Sequence, residues 1–173
     1  TPLIIDARYL RPGATGVGHY IRGILTGLDC IAEEENLQLH AFVPPEMNQD
    51  LISFYDSLKN VERHQIDVSP TDHPANEFFL QKPIDAWMKK LGAKNLFSPA
   101  FFGPVGRKPY RRIVCFHDTL CWDFPDNYPR KFRMRVKTQG MLSAKSADLL
   151  ICPSPGAREQ IKGHGIGDPG IVP

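Results

Sequence analysis

Cysteine is scarce in this chain, four in 173 residues, and no apolar run reaches the length of a membrane span. The thiols, Cys30, Cys115, Cys121 and Cys152, are too few for a disulfide framework, and two of them sit in apolar runs that read as buried strands. Reduced core thiols of a cytoplasmic protein are the expectation. No signal peptide is visible at the start, where Thr1 stands in place of an initiator Met and leaves a processed or trimmed terminus open. Charge is nearly balanced at +2, so no global field draws the chain to nucleic acid. Internal repeats and low-complexity segments are missing as well.

What is present has the composition of an average soluble globular protein, 42% hydrophobic and 23% charged. A chain this long buries roughly 70% of its unfolded surface, which suits one well-formed domain over 1–173. Apolar runs alternate with helical patterns. Strands are expected over 3–7, 37–43, 61–68, 95–98, 111–116 and 148–152. Val17, Ile21, Ile24, Leu25, Leu28 and Ile31 recur at helical spacing. Further helices are expected over 45–58, with Pro45 in the first turn, and over 74–91, with a kink or break at Pro83. Another is expected over 130–147, and a last one from an N-cap at Ser154 to about His164. The Pro-rich stretches PAFFGPVGRKP and LCWDFPDNYP read as shaped loops. Strands separated by helices demand right-handed crossovers and a parallel sheet covered on both faces, which is an α/β, Rossmann-like doubly wound fold. The apolar pair Ile171-Val172 reads as a strand that ends as it begins, as expected of a fragment cut at a domain boundary.

Between the first strand and the first helix lies RPGATGVGHY, a phosphate cradle with parts missing. Gly13 and Gly18 match half of G-x-x-x-x-G-K-[ST], but His19 and Tyr20 stand where Lys and Ser/Thr belong. Gly16 and Gly18 begin G-x-G-x-x-G, but its third position is Ile21, and no acidic residue ends the second strand to hold a ribose. Those gaps disfavour a nucleotide-hydrolysing P-loop and an NAD-dependent oxidoreductase. In an open α/β sheet this loop is still the favoured place for an anion, because helix N-terminal N–H groups point at it. Contact with a phosphate or sugar and a purely structural turn both remain open for Gly16 and Gly18.

RRIVCFHDTLCWDFP sets His117-Asp118 at the carboxyl end of a strand, the edge where ligands bind. There His117 is either a polar group poised over a cleft or a loop histidine bonded to backbone. Cys115, His117 and Cys121 lack a fourth partner at zinc spacing, so no metal site is expected. Ser154 lacks the G-x-S-x-G elbow and reads as an N-cap. Residues 107–137 carry nine Lys/Arg against three Asp, a local excess of six. Arg130, Arg133 and Lys137 share one helix side, which reads as a solvated face or as a contact with an acceptor or an anionic membrane.

Four segments in order resemble the amino-terminal domain of retaining GT-B glycosyltransferases of family 4. These are IDARYLRPGATGVGHYIRGILTGL, LFSPAFFGP, VCFHDTLCWDFPDNYP and ADLLICPSPGAREQI, and they span essentially the whole chain. The resemblance implies the first, acceptor-side domain of a bacterial cytoplasmic enzyme. A second Rossmann-like domain, with a Glu-x7-Glu signature not found here, would bind the nucleotide-sugar. It implies that Gly16 leans toward the donor diphosphate, whose basic contacts come from the second domain, so that no loop lysine is needed. It implies that His117 lies beside the donor sugar and orients it or stabilises charge, with transfer proceeding under retention. Candidate acceptor contacts are Arg8, Phe101, Phe102, Asp118 and Trp122, Arg8 being equally readable as half of a structural ion pair. No cofactor is implied, since the nucleotide-sugar is a substrate; the acceptor is a glycan, a lipid-linked molecule or a small molecule. Cys121-Trp122 and Pro155-Gly156 depart from the family pattern and bear on substrate identity. The rival reading is a non-catalytic module that binds a nucleotide or sugar phosphate.

Overall fold

In the computed structural model, residues 2–13, 15–66 and 74–172 are described, the side chains of 74–80 excepted. Seven strands, β1 (Leu3–Asp6), β2 (Leu39–Val43), β3 (Val61–Gln65), β4 (Asn95–Ser98), β5 (Arg111–Cys115), β6 (Leu149–Cys152) and β7 (Gly170–Ile171), form one sheet. Its order is β3-β2-β1-β4-β5-β6-β7, and every pair is parallel. The chain therefore winds outward from β1 to β3, returns to pair β4 with β1, and winds the other way. This is a Rossmann-like α/β fold, and its strand order reverses between β1 and β4.

Parallel strands need crossovers, and the periodic segments supply them. Helix α1 (Gly16–Ile31) buries Gly18, Ile21 and Leu25 against the sheet. Helix α2 (Gln49–Ser57) starts later than Pro45 because the Asn48 side chain accepts the Leu51 N–H and caps it there. Together they cover one face over Ile5, Leu39, Ala41 and Val43. Helix α3 (Pro74–Lys90) covers the other, with Ile84 and Met88 packed on Ile4, Phe42 and Leu96. It runs through Pro83 without ending. The lost helical hydrogen bond is offset by the burial of Ile84 and Met88 just beyond it.

The second half holds a third cluster around Phe102, Phe116, Cys121, Val136 and Ile161. Part of the segment expected to be loop is a short helix, α4 (Leu120–Asp123), followed by a 3-10 turn at Pro125–Asn127. The expected single helix over 130–147 is α5 (Arg130–Arg135), a π-helical stretch (Val136–Gly140) and α6 (Met141–Ser146). Ser154 caps α7 (Pro155–Gly163), its Oγ accepting the Ala157 N–H. Ile171 pairs beside Cys152 in β7, so the last apolar pair does enter the sheet. The expected third strand stops at Gln65, and positions 67 and 68 lie outside the described residues. All four cysteines are free, Cys30 exposed and the others buried. No described helix is long and apolar enough to cross a membrane.

Candidate functional site

Where strand order reverses, the loops after neighbouring strands diverge and leave a crevice at their carboxyl ends. A cleft of about 880 Å3 lies there, within the size of small-ligand sites. The loop after β1 and the start of α1 form one wall, with Arg11, Thr15, Gly16 and Tyr20. Ala100, Phe101 and Phe102 follow β4, and His117, Asp118 and Cys121 follow β5. Tyr128, Phe132 and Arg135 close the far side.

The α1 wall favours an anion. Thr15 stands at the N-cap without a side-chain hydrogen bond to the helix, and the first turn has no acidic residue. Among the described residues no side chain caps the first N–H groups of α1, which leaves them to a ligand or water. Among the described residues, a Cβ on Gly16 would meet nothing within 4 Å, so packing does not account for this glycine. The open space before it lets a bulky ligand reach the backbone. Gly18, by contrast, is on the buried side of α1 and lies off the cleft wall.

Opposite stands His117. Its Nε2 lies 2.6 Å from the Pro99 carbonyl oxygen. A carbonyl only accepts, so Nε2 carries the proton and Nδ1 keeps a lone pair. Burial pushes the imidazole below its usual pKa, against the Pro99 hydrogen bond and the Asp118 charge. The ring is therefore a neutral hydrogen-bond acceptor near pH 7. Tyr20 meets it edge to face, and Phe101 lies 5.2 Å away between centroids. Asp118 turns back to accept the Leu120 N–H and starts α4.

Phe101 has φ +59°, in the left-handed region that side chains avoid. The Phe102 N–H donates to the Ala100 carbonyl and closes a three-residue turn around it, while the Phe101 N–H donates to the Cys115 carbonyl. Such strain persists only where surroundings enforce it. Here Phe101 packs against Phe116 with centroids 5.0 Å apart.

Of the residues expected at the site, Gly16, Phe101, Phe102, His117 and Asp118 share the cleft wall. Arg8 does not. It is 1% exposed, and its Nε and Nη2 donate to the two carboxylate oxygens of Asp6 at 2.7 and 2.5 Å, the structural ion pair. Trp122 also lies off the wall, between Phe116 and His164, with the Lys137 ammonium 5.3 Å from its ring. The sequence did not point to Tyr9, Tyr20 or Arg135. Buried Arg135 lies 4.3 Å over the Phe102 ring, and its Nη2 donates to the Tyr9 hydroxyl. Phe132, Arg135 and Val136 share the inward side at helical spacing, but a cationic residue there reads as solvated until its partners are known. The basic excess over 107–137 also divides. Lys108 and Arg112 pair with Asp85 and Asp148 near the start of β5, away from the cleft-side helix that carries Arg130 to Lys137.

Comparison with protein families, curated proteins and solved structures finds no match to this chain.

Proposed function

We propose that this chain is the acceptor-side domain of a retaining glycosyltransferase, which moves a sugar from a nucleotide-sugar to an acceptor. One observation carries the reading: a neutral imidazole, His117, faces an uncapped helix N-terminus at Gly16 across one cleft at the strand-order reversal. That pairing suits a sugar diphosphate. The helix N-terminus stabilises charge as it develops on the leaving diphosphate, and needs no lysine to do so. The Nδ1 lone pair of His117 accepts a hydrogen bond from a sugar hydroxyl and orients the ring. That lone pair is taken up by the sugar hydroxyl, and the lowered pKa makes the ring a weak proton acceptor, so this reading gives His117 no general-base role. Same-face attack, with the leaving diphosphate taking the acceptor proton, accounts for retention without a protein nucleophile.

On this reading a second domain outside these residues holds most of the donor. Arg11 and the aromatic wall of Tyr20, Phe101, Phe102 and Tyr128 then face the acceptor, a glycan, lipid-linked or small molecule. The enzyme is bacterial and cytoplasmic, and Arg130 and Lys131 offer a peripheral contact with an anionic membrane. The test is turnover of nucleotide-sugars by the complete protein, with and without His117→Ala. We expect a loss of about 100-fold or more, as for misplacement of a reacting group. Near-normal turnover removes His117 from the centre. Tight binding of a nucleotide-sugar by these 173 residues alone favours a non-catalytic binding module instead.

A further inference from the structure

On the face of the sheet that α3 covers, three donor side chains converge away from the cleft. Glu62 and His64 stand two apart on β3 and share a face, and His40 of β2 is the register partner of Glu62. His40 Nδ1 lies 2.9 Å from His64 Nε2 and 3.4 Å from Glu62 Oε2, and His64 Nε2 lies 3.7 Å from Glu62 Oε1. One ligand atom from each of the three lies within 4.8 Å of the others. None of the three lines the cleft.

We propose that His40, Glu62 and His64 bind a borderline divalent transition-metal ion of the zinc class. Metal–nitrogen bonds of about 2.0–2.1 Å place two imidazole nitrogens roughly 2.9 Å apart at a right angle and about 3.4 Å apart at the tetrahedral angle. The observed 2.9 Å needs at most a small opening, and the nitrogen–oxygen separations already suit a shared ion. Without metal, one ring N–H donates to the other ring's lone pair; when the ion binds, the donor ring changes tautomer, its proton moving to its other nitrogen, and both facing nitrogens offer lone pairs. Both imidazoles are held before metal arrives, since their side chains are only 11% and 7% exposed and the His64 ring packs on Trp87 with centroids 4.5 Å apart. Glu62 is 67% exposed, which leaves a path for entry and room for water in the remaining positions. The nearby Lys90 ammonium is a like charge, which the Glu62 carboxylate offsets. Two imidazoles and one carboxylate select zinc, copper, nickel or iron over magnesium and calcium. Bound there, the ion staples edge strand β3 to β2.

The probe is Zn2+ titrated calorimetrically into the metal-stripped protein, with Co2+ absorption reporting the ligands. We expect one equivalent bound, no response to Mg2+, and a melting temperature that rises with Zn2+ because only the folded chain presents the site. His64→Asn should abolish binding, but the ring it removes is also part of the packing on Trp87. Exposed Glu62→Gln leaves that packing alone and should weaken binding by about tenfold or more, since even outer partners of a metal are worth 10–100-fold. Failure of a 1:1 isotherm with the folded wild-type protein overturns the proposal. Equal affinity of Glu62→Gln and wild type does so as well.

Discussion

Tyr20 meets His117 edge to face, ring centroids 4.9 Å apart and planes at 88°. The contact joins the first turns of α1 to the end of β5 and ties one side of the cleft to the other. The Tyr20 hydroxyl is buried beside the Cys115 thiol and, among the described residues, has no hydrogen bond of good geometry. Tyr20→Phe should therefore keep stability and turnover. Tyr20→Ala should lose the pair, worth about 0.5–1.5 kcal/mol, and at least about tenfold in turnover as His117 loosens. A Phe variant as impaired as the Ala variant would assign the role to the hydroxyl.

The lowered pKa of His117 has a defined sign in stability. Its folded value lies below the ordinary 6.5, so between the two the unfolded chain binds the extra proton. Stability contributed by this residue is full above about pH 6.5 and falls as pH drops toward the folded value. Urea unfolding well above and well below that pH should show a larger loss on acidification for wild type than for His117→Gln, whose amide N–H can still reach the Pro99 carbonyl. Equal losses would show that His117 is not held neutral.

Phe101 inverts a common ranking. Gly usually costs more than Ala, but at φ +59° it relieves about 1–2 kcal/mol of backbone strain that Ala retains. Both variants lose the packing on Phe116 and His117. Phe101→Gly should therefore be the more stable of the two by about 1 kcal/mol in chemical denaturation. The reverse order would mean that the turn relaxes on its own.

Arg8 and Asp6 are both almost wholly buried, with side-chain exposures of 1% and 3%. Asp6→Ala leaves a buried guanidinium without its bidentate carboxylate and should cost about 3–5 kcal/mol. Combining Asp6→Leu with Arg8→Met removes both charges and should cost clearly less. A double variant no better than Asp6→Ala would show that the Arg8 stem, rather than the charge pair, carries the stability.

Alternation and periodicity were enough to place the strands and most of the helices, because burial on both faces makes a parallel strand an apolar run. They also located the cleft edge, since Gly16 and His117 follow strands directly and the sheet's connectivity puts such ends together. Ser154 was legible as a cap for a local reason, its hydroxyl meeting the Ala157 N–H three residues on. The rest depended on contacts far apart in sequence. Whether Arg8 faced a ligand or Asp6 was settled by burial of the pair. Phe132, Arg135 and Val136 line the wall at regular helical spacing, but an arginine is seldom buried, and only its contacts with Phe102 and Tyr9 hold this one there. The His40–Glu62–His64 cluster exists only because β2 and β3 pair in one register, and a register is chosen by the packing of whole faces rather than by any single residue.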